Sequence, residues 1–190
     1  MGSGAVSGAG RTAVFLDRDG VLNEALIRDG KPYPPADAAA LKVVAGARES
    51  LDALRAAGFL LIVVTNQPDV ARGTQTRETV DAIHARLRAE LPLDAVYACC
   101  HDGEGCDCRK PKPGLLLKAA ADLGIDLARS FMVGDRWRDV DAGARAGCRT
   151  VFLDFGYRER GPTDPPAISV ASLQDGVAWI LQQSGAQGGG

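Results

Sequence analysis

No run of apolar residues in this 190-residue sequence approaches the length of a membrane span. Neither sign of charge dominates. The 22 Lys and Arg against 24 Asp and Glu leave a net charge of −2, which gives no electrostatic basis for nucleic acid or an acidic membrane surface as partner. The opening MGSGAVSGAGRT has neither the basic start nor the apolar stretch of an export signal, so a cytoplasmic location is expected. There is no evident internal repeat and no insertion large enough for a second domain. What is present is ordinary globular composition, 46% hydrophobic and 24% charged, in a length that suits one well-buried domain. The glycine-rich stretch 2–10 precedes the first strand instead of following one, and its spacing is wrong for a nucleotide loop. It reads as a tail. Residues 1–11 and 184–190 are thus expected to be flexible ends around a single domain at 12–183.

Between these ends strand and helix alternate. Short apolar runs predict strands at 12–17, 59–66, 94–100, 130–135 and 149–154. Helices are predicted over 41–58, stopping at Gly58, and over 77–91, capped by Thr76. Further helices are predicted from Pro113 to Gly124, before Gly147, and over about 173–183 after Ser172. Alternation with short connections implies a three-layer α/β, Rossmann-like fold with a central parallel β-sheet covered on both faces.

Ligands of such sheets bind beyond the carboxyl ends of the strands. Those ends carry DRDG (17–20), TNQ (65–67), a cysteine cluster followed by RKPKPG (109–114), and GDRWRD (134–139). Asp17 and Asp19 are two apart, so strand alternation places both on one face while Arg18 points elsewhere. Two adjacent carboxylates repel unless a cation or shared proton intervenes. Asp135 and Asp139 add the oxygen ligands a hard divalent ion takes, which favours magnesium. Phosphoryl transfer accounts for the whole set, because its transition state spreads charge over oxygens. Magnesium, Lys110, the Thr65 hydroxyl and the amides of the Gly20 turn could hold those oxygens. Asp17 could attack phosphorus, with Asp19 as acid and then base. An Asp-centred magnesium site also serves phosphoryl-accepting switches, a different class, which need no second aspartate two residues on.

These four motifs resemble those of the haloacid dehalogenase (HAD) superfamily of phosphohydrolases, in order and at compatible spacing over residues 12–155. The resemblance implies Asp17 as nucleophile, Asp19 as acid and base, Thr65 as the phosphate-binding hydroxyl and Lys110 as the neutralising lysine. It also implies Mg²⁺ on Asp17, the main-chain carbonyl of Asp19 and Asp135, with Asp139 in support. DRDGVLN, VVTNQPDVARG and CDCRKPKPG are together similar to the D-glycero-D-manno-heptose 1,7-bisphosphate 7-phosphatases and the related histidinol-phosphate phosphatases. That branch is capless, and its substrates are small phosphorylated metabolites. Asn66, Arg109 and Gly20 are the substrate-binding candidates, and a monomer is expected. Arg136 stands where lysine is frequent, and PD at 68–69 replaces the usual small residues.

Residues 99–108 hold four of the five cysteines and one of the two histidines. Catalytic thiol, disulfide and metal cage are the competing readings. In a reducing compartment clustered thiols bind metal more often than they pair. The branch commonly holds a structural zinc through C-x-H and C-x-C, which implies Cys99, His101, Cys106 and Cys108 as Zn²⁺ ligands here. A Cys₃His set fills a tetrahedral zinc and leaves no open position for catalysis. Cys100 is expected to face away from Cys99. Cys148 and His84 read as packing residues.

Overall fold

The computed structural model describes residues 10–103 and 105–185. The expected tails at 1–9 and 186–190 lie outside them. In chain order the described residues form β1 (Ala13–Leu16), β2 (Leu26–Arg28), β3 (Lys31–Tyr33), α1 (Ala47–Ala56), β4 (Leu60–Asn66), α2 (Asp69–Arg72) and α3 (Arg77–Glu90). Then come β5 (Ala95–Cys99), α4 (Gly114–Leu123), a 3₁₀ turn at Leu127–Arg129, β6 (Phe131–Gly134), α5 (Trp137–Ala146), β7 (Arg149–Leu153), β8 (Ile168–Val170) and α6 (Leu173–Gly185). Six strands make one sheet in the order β5-β4-β1-β6-β7-β8, with every neighbouring pair parallel.

The predicted three layers are present, and β1 shows why. Its residues are apolar on both sides: Val14 and Leu16 join one core cluster, Ala13 and Phe15 the other, all 0% exposed. Leu51 and Leu54 of α1, Ile83 and Leu87 of α3, and Val177 and Ile180 of α6 cover the first face. Leu115, Leu116 and Ala119 of α4 with Ala142 and Ala146 of α5 cover the second. Thr76 caps α3 as expected, its hydroxyl accepting from the Thr79 amide at 3.1 Å.

Some boundaries differ. Helix α1 begins at Ala47, not 41, because Gly46 takes the left-handed backbone (φ 76°) that starts a new segment rather than continuing a helix. Helix α6 runs on to Gly185, and Arg11 is already tied to the fold, its amide donating to the Gly124 carbonyl at 2.9 Å. A sixth parallel strand, β8, and the antiparallel β2–β3 hairpin were not predicted; each is only three residues long. The hairpin leaves Leu26, Ile27 and Tyr33 exposed.

Candidate active site

The carboxyl ends of β1, β4 and β6 and the loop after β5 meet around a cavity of about 300 Å³, lined among others by Asp17, Asp19, Thr65, Asn66, Arg109, Lys110 and Asp139. Lys110 lies buried in its wall. Its Nζ donates to Asp17 Oδ1 at 2.7 Å and the Val64 carbonyl at 2.8 Å, and lies 2.6 Å from Asp139 Oδ1. Burial alone would lower the lysine, but Asp139 and Asp17 outweigh it and push its pKa up to about 12. Burial raises Asp17 to about 6 in spite of Lys110, with Asp139 and Asp19 adding repulsion. Asp139 also caps α5, where Oδ2 accepts the Arg136 amide at 3.0 Å.

Asp135 differs from every other carboxylate on the rim. It is 1% exposed, and neither oxygen has a hydrogen-bond partner of normal geometry among the described residues. Burial, then Asp17 and Asp139, raise its pKa well above the usual range, and the nearby Tyr157 hydroxyl offsets little of this. Such a pair of orphaned oxygens is a strong fit for a hard cation. Asp17, Asp135 and Asp139 each offer an oxygen within 4.8 Å of the others. A Cβ on Gly20 would stand 2.0 Å from Asp135 Oδ2, so glycine there permits the approach of that carboxylate.

Gly20 corrects one expectation. Its amide donates to the Asn23 carbonyl at 2.8 Å inside the turn, which leaves it no N–H for a phosphate. Asn66 does line the cavity, but its amide is clamped to the main chain of Lys110: Nδ2 donates to the carbonyl at 3.0 Å and Oδ1 accepts the N–H at 3.1 Å. Arg18 does not point elsewhere. The strand ends at Leu16, alternation stops with it, and the guanidinium folds back onto Asp19, with Nη2 to Oδ2 at 2.9 Å. Asn23 and Gln67 also donate to Asp19, each at 3.0 Å. Burial would raise Asp19, yet Arg18 and these hydrogen bonds hold it below the usual carboxylate range. Gln67 bridges on to the Thr65 hydroxyl at 2.9 Å.

The sulfur cluster adjoins this rim. Cys99, His101, Cys106 and Cys108 bring their ligand atoms within 4.8 Å of one another. Cys99 Sγ lies 3.7 Å from Cys106 Sγ and 3.0 Å from Cys108 Sγ, while His101 Nδ1 lies 3.3 Å from Cys108 Sγ. All five cysteines are free. Bonds of ~2.3 Å to a tetrahedral zinc would space sulfurs ~3.8 Å apart, which the Cys99–Cys106 separation matches and the Cys99–Cys108 contact undercuts; neither is short enough for a disulfide. Burial pushes the Cys99 thiol up to about 12, so a cation is needed to hold it as thiolate. Cys100 lies outside the cluster, its sulfur 3.5 Å from Arg77 Nη1. Arg109 is fixed to the cage by donating to the His101 carbonyl at 2.8 Å.

The sequence assigns no role to several cavity residues, either because their element is not predicted or because their motif does not say where they point. Lys31 and Tyr33 arrive on the unpredicted hairpin, and Gln67, Arg136 and Arg138 line the wall. Arg136 pairs with Glu159. Trp137 is not among the cavity-lining residues; the guanidinium carbons of Arg160 and Arg138 lie 3.4 Å and 4.7 Å from its ring centroid.

A parallel sheet whose strand ends deliver paired aspartates, a hydroxyl, a buried lysine and an unpartnered acidic residue defines the class, a HAD-like phosphohydrolase. The HAD-hydrolase-like family model matches residues 107–176. D-glycero-beta-D-manno-heptose-1,7-bisphosphate 7-phosphatase of Pasteurella multocida (strain Pm70) is 40% identical over 157 residues, 75% of this chain and 81% of the relative. The enzyme of that name from Escherichia coli (strain K12) is 34% identical over 182 residues, 89% of this chain and 87% of the relative. A D,D-heptose 1,7-bisphosphate phosphatase structure from B. bronchiseptica, complexed with magnesium and phosphate, superposes with TM-score 0.73 at 28% identity, covering 90% of this chain and 99% of that one. The chain belongs to the D-glycero-beta-D-manno-heptose-1,7-bisphosphate 7-phosphatase family. No helix among the described residues is long and apolar enough to cross a membrane.

Proposed function

We propose that one domain spanning residues 12–183 hydrolyses a phosphomonoester of a small sugar, a heptose 1,7-bisphosphate attacked at the 7-phosphate, through an aspartyl-phosphate on Asp17. The observation that carries this reading is the line Asp17–Lys110–Asp139 beside the unpartnered Asp135. Asp17, the Asp19 carbonyl and Asp135 would hold Mg²⁺, with Asp139 in support, an ion also present in the B. bronchiseptica relative. The ion supplies charge neutralisation for the transferring oxygens.

An Asp17 oxygen attacks phosphorus, and the bond to the leaving oxygen breaks with its electron pair on that oxygen. Asp19 delivers a proton there; the incoming phosphate dianion raises its proton affinity for that purpose. Water then attacks the phosphoryl group, its proton returns to Asp19, and Asp17 leaves as carboxylate with inorganic phosphate released. Lys110 and the Thr65 hydroxyl stabilise the phosphoryl oxygens. Asn66 keeps Lys110 in place. Cys99, His101, Cys106 and Cys108 would hold a structural Zn²⁺ that fixes Arg109 and Lys110 where they meet the substrate.

The cavity wall favours a second anionic group. Lys31 and Arg138 line it without an ion pair to any described residue, beside Arg109 and Arg136. The direct test is kcat/KM across both heptose 1,7-bisphosphate anomers, histidinol phosphate and common sugar monophosphates. A preference of 100-fold or more for one heptose bisphosphate, ~2.7 kcal/mol in the transition state, is expected. Preference for histidinol phosphate would move the substrate within the same chemistry. Stoichiometric phosphorylation without turnover would instead indicate a switch.

A further inference from the structure

We propose that Arg18 and His84 form a buried brace that fixes the orientation of Asp19, and that both are positioning residues for proton transfer to the leaving group. The inference rests on the acid–base reading of Asp19.

The brace is built from two separate elements. Arg18 follows β1 and is 0% exposed; His84 projects from α3 and is 8% exposed. Arg18 Nη1 stands 3.0 Å from His84 Nε2. A guanidinium can only donate, so Nε2 accepts and the ring carries its proton on Nδ1. The other two nitrogens face the carboxylate: Nε is 3.2 Å from both Asp19 oxygens and Nη2 is 2.9 Å from Oδ2. Nη2 also donates to Gln67 Oε1 at 3.0 Å, and Gln67 Nε2 donates to Asp19 Oδ2. Asn23 holds Oδ1 from the other side. The Asp19 side chain is therefore confined to one orientation by donors whose own positions are fixed by burial.

A purely structural account is weak. Burying an Arg–Asp pair carries a large desolvation penalty, and apolar replacements are often as stable or more so. Apolar packing is available here, since Val80, Ile83 and Leu87 of the same helix are all 0% exposed. What the ion pair supplies instead is orientation. A displacement of ~1 Å in a reacting group can cost ~10²-fold in rate.

The experiment uses leaving-group dependence. kcat/KM reports steps only through departure of the leaving group, and the p-nitrophenyl phosphate leaving group needs no proton, whereas a sugar alkoxide does. His84→Leu removes the acceptor and should lower kcat/KM for the best sugar phosphate of the panel by about 10-fold while changing that for p-nitrophenyl phosphate less than about 2-fold. His84→Gln, which restores an acceptor, should recover most of the loss. If His84→Leu does not fold, Arg18→Lys, which keeps the charge and loses the fork, gives the same comparison. Asp19→Asn is the control. If Asp19→Asn lowers both substrates equally, the acid–base reading fails. If Asp19→Asn is selective but the brace variants lower both substrates equally or neither, the brace alone is overturned.

Discussion

Two clusters of metal-type ligands sit side by side in this fold, and they are opposites. The carboxylate cluster of Asp17, Asp135 and Asp139 is buried and hard; the Cys₃His cluster is soft, partly exposed and confined to ten consecutive residues, from the end of β5 into the loop after it. The first faces the cavity and contains a carboxylate with both oxygens unpartnered. The second packs its four ligand atoms against one another, a set that a tetrahedral zinc would fill without leaving an open position. They meet at Lys110, which follows the last cysteine by two residues and reaches Asp17 and Asp139. The contrast separates chemistry from scaffolding: a site that turns over substrate must stay incompletely satisfied, while a site that holds a loop should be closed.

The largest effect should come from breaking the first cluster at its centre. Asp17→Asn keeps the shape and removes the attacking carboxylate, so turnover should fall roughly 10⁴-fold or more, with no acid-stable phosphoryl-protein in rapid quench. Retention of either turnover or the phosphoryl-protein would remove Asp17 from the nucleophile role. The sulfur cluster should behave differently. Stripping zinc with a thiophilic chelator, with Mg²⁺ in excess, should lower kcat/KM by about 10–100-fold, the range found when a group's supporting contacts are lost. Adding zinc back should restore it, and Mg²⁺ affinity should stay nearly constant. Unchanged activity and melting temperature in zinc-free protein would show that the cage does not support Lys110.

The same contrast explains what could be read from the sequence. Strand ends were legible because a parallel strand buried on both faces is a continuous apolar run, as in AVFL and LLIVVTN, and its end is visible as the first polar residue. That placed Asp17, Thr65 and Asp135 on one rim without coordinates. The cysteine cage was legible because its ligands are close in sequence. What escaped was the support around them. Alternation predicts where Asp17 points but ends at Leu16, so the return of Arg18 onto Asp19 could not be seen. His84 is 66 residues from Arg18, and only the packing of α3 joins them. The position of Gly20 at a strand end suggests amides for phosphoryl oxygens, but its own amide is spent inside the turn, and its missing side chain admits Asp135. Strand β8 and the hairpin, three residues per strand, carry too little pattern to register.

The smallest effect distinguishes the clusters by titration. The folded protein raises Asp17 from 3.8 to about 6, and raises Asp135 well above the usual carboxylate range in the same direction. A folded-state pKa above the unfolded one means that the group's favourable contribution is complete below about 3.8 and is lost as pH rises through about 6. Without Mg²⁺ the carboxylates should therefore weaken the fold between pH 5 and pH 7.5; with Mg²⁺ their charges are neutralised and the loss should vanish. His84 runs the opposite way. Burial, then Arg18, lowers it from 6.5 to about 4, so its contribution is present above 6.5 and is lost as pH falls towards 4. His84 contacts Arg18 and none of Asp17, Asp135 and Asp139, so its titration should change little with the ion, and the difference between the two melting curves should report mainly the carboxylates. That difference should grow from pH 5 to pH 7.5 by several degrees, at roughly 2–4 °C per kcal/mol for a chain of this size. Cys99, pushed up to about 12, stays neutral across this window in metal-free protein and adds nothing to the slope. A Mg²⁺-dependent shift that is flat with pH would mean the ion binds away from Asp17 and Asp135.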